Sequence, residues 1–294
     1  MKASFYLIIS LLFSVPGFVK AQNPFIKGTV KESMVVKSTI LGRDIKYSIY
    51  LPFDYNTSIR SYPVLYLLHG STDNEVSWIQ FGNINSTADR LIASGESAPM
   101  VIVMPDAGLT YYVNNFNGSV RYEDAFFMEF IPNIEKIYRI RIGKDYRAIG
   151  GLSMGGYGSL LYAFKHSDMF AVCLAFSAAV RNDSLMIKRL RLGEGNSNEC
   201  YGKLVEDTLP ETWRKNSILD LAAKLPLKQL NSVKYYIDCG DKDERILGNS
   251  LLNFTLNARK VPHEFRVREG DHNWSYWRQS MEDGLKFLSP IFQR

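Results

Sequence analysis

Two kinds of apolar spacing alternate along the chain. Val64 to Leu68, Met100 to Met104, Tyr146 to Ile149, Ala171 to Phe176, Lys234 to Asp238 and His263 to Arg268 are short runs bounded by polar or turn residues, the pattern of strands. Between them, apolar residues recur every three or four positions, as helices require: Phe126, Phe127, Phe130, Ile131, Ile134 and Ile137 within Tyr122 to Tyr138; Leu160, Leu161 and Phe164 within Tyr157 to Lys165; and Trp274, Trp277, Met281, Leu285 and Leu288 in a closing helix. Met34 to Ser38 and Lys46 to Leu51 read as two antiparallel strands joined through Gly42. Strands alternating with helices predict a mostly parallel sheet covered on both faces. Asn182 to Ser232 breaks the rhythm. It is polar, contains Gly193 and Gly195, and carries short helical pieces such as Ser217 to Leu225, so it is expected to be a small helical insertion over the C-terminal strand edge, where open α/β sheets bind ligands.

Composition changes this picture mainly at the N-terminus. Lys2, the apolar run Phe5 to Phe13 and Val19-Lys20-Ala21 make residues 1–21 a cleavable secretory signal. The run falls short of the roughly 20 residues a spanning helix needs, and Pro16 and Gly17 interrupt its end. Residues 22–294 then form a single domain, secreted or periplasmic, with no stable membrane insertion. Of 294 residues 46% are apolar, enough for a sizeable core. Taking Lys2 and Lys20 from the net charge of +5 leaves +3, with the basic residues dispersed, so no nucleic-acid partner is expected. Cys173, Cys200 and Cys239 are an odd number, which leaves at least one free thiol, and no clustering of Cys or His suggests a metal or other cofactor. Oligomeric state is not readable.

The chemistry starts at Gly151-Leu152-Ser153-Met154-Gly155-Gly156, between a strand and a helix. A Ser with Gly two residues to either side in that context is the nucleophile elbow of an α/β-hydrolase: the turn is so sharp that side chains at those flanking positions would collide. In that fold an acid and then a His follow the Ser in sequence. Of four His, His69 precedes the Ser, His166 lies too close behind it, and His263 begins a strand at the wrong end of the sheet, which leaves His272 as the base. The acid follows Lys234 to Asp238, with Asp238, Asp241, Asp243 and Glu244 as candidates; spacing favours Asp243, with Asp241 the main rival because Asp also serves turns. The oxyanion donors are expected to be the backbone N–H groups of Met154, which follows the nucleophile, and of Ser71, in the loop His69-Gly70-Ser71.

With these residues in hand, the chain resembles the esterase D and feruloyl esterase group of α/β-hydrolases, relatives of the antigen 85-type mycolyltransferases. The resemblance rests on Tyr66-Leu67-Leu68-His69-Gly70, Pro105-Asp106, Gly151 to Gly156, Gly240-Asp241-Lys242-Asp243 and His272 to Trp277. It implies that Asp243 is the acid, through the family's Gly-x-x-Asp motif, and it matches Trp78 and Trp274 to family aromatics. One departure is Ser71, where many members carry a second Gly. The resemblance implies hydrolysis of carboxylic esters through an acyl-enzyme, with feruloyl or acetyl groups on carbohydrate as the leading substrate. A siderophore ester, acyl transfer to a sugar and a non-catalytic binding role are the alternatives. Trp78, Tyr111, Tyr112 and Trp274 are expected to bind substrate, with Phe116 and Tyr276 as further rim candidates. A neutral imidazole base is needed, so activity is expected to fall below about pH 6.5.

Overall fold

The computed structural model describes residues 27–293, so the expected leader lies outside the described residues. The strands are β1 (Thr29–Ser38), β2 (Arg43–Leu51), β3 (Val64–Leu68), β4 (Val101–Pro105), β5 (Arg147–Leu152), β6 (Val172–Phe176), β7 (Lys234–Gly240) and β8 (His263–Arg268). All eight form one sheet in the order β1-β2-β4-β3-β5-β6-β7-β8. β2 runs antiparallel to both β1 and β4, and every other pair is parallel. This is the expected α/β-hydrolase architecture. β3, β4, β5 and β6 are buried along their whole length, which is why they read as unbroken apolar runs rather than as alternating ones.

The period-two alternation of side chains divides the core between the two faces. Val64, Tyr66 and Leu68 pack with Leu160, Leu161 and Phe164 of the helix Met154–Lys165. Leu65 and Leu67 face the other way, onto Leu91 of the helix Ile84–Ser94 and Met281 and Leu285 of the closing helix Trp274–Phe292.

The predicted helix over Tyr122 to Tyr138 contains a π turn at Phe126–Phe130. Pro132 has no N–H to return to the preceding turn, and the wider turn, closed by Ile131 N–H to Phe126 O, accommodates it. The shifted register buries Phe126, Phe130, Ile131 and Ile134 but leaves Ile137 59% exposed, so the apolar stripe ends one turn before the spacing suggested.

The interval between β6 and β7 is helical, and its two halves go to different places. Asp183–Leu192 and Ser197–Tyr201 reach the strand edge, where Cys200 Sγ and Asn196 bind Leu109 O in the loop after β4. Glu211–Asn216 and Ile218–Lys224 descend beside the helix Met154–Lys165, tied to it by the Tyr157 hydroxyl donating to Asn216 O. Cys173, Cys200 and Cys239 are all free and buried. Among the described residues no helix is long and apolar enough to cross a membrane.

Candidate active site

At the end of β5 the chain turns into the following helix through Ser153, with φ 53° and ψ −113°, a strained conformation for a residue with a side chain. The strain is held from outside: Ser153 N–H donates to Phe176 O and Ala179 N–H donates to Ser153 O, each at 2.9 Å. Both flanking glycines are there for space. A Cβ on Gly151 would lie 2.6 Å from the Gly155 carbonyl, and one on Gly155 would lie 2.4 Å from Leu68 O. Gly70 likewise leaves no room, with Leu152 Cδ1 2.7 Å from its virtual Cβ.

Three side chains from three loops meet above this turn. The Ser153 hydroxyl lies 2.9 Å from His272 Nε2, and His272 Nδ1–H donates to Asp243 Oδ2 at 2.8 Å. Burial raises the pKa of Asp243, but hydrogen bonds from His272, Ser177 and the Arg245 N–H outweigh it, and the net shift is downward. His272 is steered from below by Trp277, whose ring stands edge-on at 4.9 Å. Asn273, beside it, is the N-cap of the closing helix and accepts from Tyr276 N–H, which gives the side chain of the Asn-Trp-Ser sequence a structural use.

The competing residues are all otherwise engaged. Asp241 accepts from Gly270 N–H at 3.0 Å, a turn-stabilising role, and Asp238 pairs with Arg268 at 2.6 Å. His69 Nε2 accepts from Ala107 N–H, so its Nδ1–H donates to Gly70 O and ties the loops after β3 and β4 together. His166 is bound to Glu123, and His263 to Asn253 and Val261 O.

Two residues here were invisible to spacing arguments. Ser177, at the end of β6, is buried with φ 46°; its hydroxyl accepts from Trp277 Nε1–H at 3.1 Å and favours the charged form of Asp243. Asp73 accepts from Gly70 N–H; burial raises its carboxyl above the ordinary value despite that contact and the nearby His69 and His272. A positive φ on a serine and a salt-free aspartate leave no mark on hydrophobic periodicity, so no sequence signal pointed to either.

Ser177→Ala is expected to lower kcat about tenfold with KM nearly unchanged, because Asp243 loses a hydroxyl that favours its ionised form while no substrate contact is touched. The lowered pKa of Asp243 stabilises the fold above its unfolded value of about 3.9 and ceases to do so as pH falls through the folded value. The variant should therefore be about 1–2 kcal/mol less stable than wild type at pH 7. That gap should narrow in urea melts at pH 3; a gap independent of pH would show that Ser177 does not act through Asp243.

The Met154 N–H begins the helix after Ser153, and the Ser71 N–H lies in the loop that Asp73 braces; neither has an acceptor among the described residues. The aromatic residues expected around substrate separate into two groups. Trp78 and Tyr112 are fully enclosed, with Trp78 Nε1–H donating to Leu68 O and the Tyr112 hydroxyl to His69 O, so they brace the loop after β3 and offer no free ring face. Tyr111 and Tyr276 are also buried. Trp274 is only partly covered, lies edge-on to Trp78 at 5.2 Å, and adjoins Phe81, which is 50% exposed. Phe116 is exposed. Aromatic spacing does not distinguish a packed ring from a rim ring, because both are apolar and local.

Fold and geometry define an α/β-hydrolase. The chain belongs to the family described as "Putative esterase", whose model matches residues 38–288. It is 36% identical over 261 residues to an esterase of Mycobacterium tuberculosis, covering 80% of this chain and 54% of that protein. It is 37% identical over 260 residues to an endo-1,4-beta-xylanase/feruloyl esterase of Xylanibacter ruminicola, covering 84% of this chain and 29% of that protein. The chain thus spans only part of these longer relatives. Among solved structures it superposes on a ferulic acid esterase with a TM-score of 0.77 at 31% identity, over 91% of this chain and all of that one.

Proposed function

We propose that this protein is an exported serine esterase that hydrolyses carboxylic esters through an acyl-enzyme, acting on feruloyl or acetyl groups carried by carbohydrate. The single observation that carries the reading is the unbroken hydrogen-bond chain from Asp243 through His272 to the Ser153 hydroxyl. His272 Nε2 takes the Ser153 proton as Oγ attacks the ester carbonyl, while Asp243 keeps the other ring proton on Nδ1 and stabilises the imidazolium. The Met154 and Ser71 N–H groups receive the negative charge that develops on the carbonyl oxygen. His272 then protonates the leaving alcohol, and water, deprotonated by the same imidazole, releases the acid.

The acyl preference is supported by the names of relatives, which include the endo-1,4-beta-xylanase/feruloyl esterase of Xylanibacter ruminicola and an acetyl esterase of Caldicellulosiruptor saccharolyticus. The partly covered ring of Trp274, two residues after His272, and the exposed ring of Phe81 against it suit an aromatic or sugar ring. Export rests on Lys2, the apolar run Phe5 to Phe13 and Val19-Lys20-Ala21. The test is a substrate panel with covalent labelling. Methyl ferulate and acetylated xylan are expected to be hydrolysed, and a fluorophosphonate probe to label Ser153. Labelling with no turnover of either substrate would overturn the acyl assignment; no labelling and no turnover would overturn the enzyme itself.

A further inference from the structure

Beside the Ser153 site lies a group of guanidinium side chains that the proposed mechanism does not use. Arg181 follows β6 by a few residues and is only 5% exposed. Its Nη1–H donates to Ala179 O and its Nη2–H points at the Tyr111 hydroxyl at 3.5 Å. No carboxylate among the described residues lies within ion-pair distance of it. Arg189, from the first insertion helix, donates to the same Tyr111 hydroxyl at 2.8 Å. Both guanidinium carbons lie within 6 Å of the Tyr111 ring centre, at 5.4 and 5.7 Å. Arg245 comes from the loop after β7, just before a helix whose Gly248 packs on Val180 and whose Asn249 donates to Ala178 O, beside Arg181; its backbone N–H binds Asp243, and its buried Nε–H has no acceptor.

Charge in this group is not balanced. Arg245 meets Glu244, which is 68% exposed, and Arg189 meets Glu194, which is 50% exposed, at 3.4 Å; pairs of that kind contribute little. Burial, with the Arg181 and Arg189 charges, pushes Arg245 below its ordinary value, although a guanidinium remains charged at neutral pH. Gathering like charges in a half-buried place is costly unless something of opposite sign joins them. The scaffold also commits unusual backbone here, since Tyr111 and Tyr112 both have positive φ, at 53° and 60°.

The position ties the group to the reaction. Arg181 lies two residues after Ala179, whose N–H binds Ser153 O, and Arg245 two residues after Asp243. Tyr111 packs edge-on against Tyr157, in the first turn of the helix that Ser153 opens. Building on the esterase reading, we propose that Arg181, Arg189 and Arg245 form an anion subsite beside the nucleophile, which binds a carboxylate carried by the ester substrate itself. The shared chemistry is a carboxylate within reach of the scissile ester. It can sit on the acyl part, as in a half-ester of a dicarboxylic acid, or on the alcohol part, as in an acidic sugar.

Two matched pairs of esters test this. Monomethyl and dimethyl terephthalate place or remove the charge on the acyl side; 4-acetoxybenzoate and its methyl ester do so on the alcohol side. kcat/KM is measured for wild type, Arg181→Met and Arg245→Gln, the second variant altering a partly exposed side chain in case the first does not fold. In one pair, the charged-to-neutral ratio of kcat/KM is expected to fall about tenfold or more in the variants, the size of one charge-assisted hydrogen bond. The pair that responds identifies which side carries the carboxylate. Ratios unchanged in both pairs would overturn the subsite and leave the arginines as packing around Tyr111. Failure of wild type to hydrolyse even the neutral esters would instead overturn the esterase reading on which the subsite rests.

Discussion

Ser153→Ala is expected to lower kcat for p-nitrophenyl acetate by about a million-fold, leaving only the modest rate that binding and oxyanion donors sustain. The side chain lost is the one whose Oγ lies 2.9 Å from His272 Nε2, and no other hydroxyl takes part in that chain. Folding should be little affected. Alanine meets the same backbone strain at φ 53° as serine does, and the bonds that hold the turn, from Ser153 N–H to Phe176 O and from Ala179 N–H to Ser153 O, are backbone bonds. The thermal midpoint is therefore expected to stay within a few degrees of wild type. Activity near wild type in a folded variant would remove Ser153 from the mechanism.

The second large effect separates two aspartates two residues apart. Asp243→Asn is expected to lower kcat by about 10⁴, because an amide can present N–H to His272 Nδ1 and stabilise the tautomer in which Nε2 already holds a proton. Nε2 could then no longer accept from Ser153. Asp241→Asn should cost less than about tenfold, since Asp241 accepts only from Gly270 N–H, and an amide oxygen can do the same. Steady-state kinetics on one neutral ester, with both variants checked for folding, decides the matter; comparable losses in the two would mean that the acid is not Asp243 alone.

The legible part of this protein is the part whose physics is local. β3 and β8 appear at the boundaries that the runs Val64 to Leu68 and His263 to Arg268 suggested; β3 is buried throughout, whereas β8 is a half-exposed edge strand bounded by its flanking turns. The elbow was readable because part of its constraint is a collision between residues two positions from one serine, which the structure shows at Gly151 against Gly155; Gly155 itself is confined by Leu68 O, from another strand. The exclusion of His263 also followed from direction: β8 is parallel to β7, so His263 enters at the far end and His272 leaves at the near one.

Other features were decided by contacts that span most of the chain. Asp238, Asp241 and Asp243 are equivalent in composition and nearly so in spacing; only the return of β8 gives one of them His272, one Gly270 N–H and one Arg268. Trp78 and Tyr112 looked like rim residues and are enclosed, while Trp274 is only partly covered, because burial of an aromatic depends on which distant loop arrives over it. Ser177 and the arginines around Tyr111 gained their partners the same way, across separations of up to 100 residues. The sequence by itself determined the sheet, the sharp turn at Ser153 and the chain order in which Ser153, Asp243 and His272 were expected to act, since each is read from neighbouring residues and their order. Only the tertiary structure decided which aspartate meets His272, which rings stay partly exposed and where guanidinium side chains gather, since each depends on side chains that no local pattern connects.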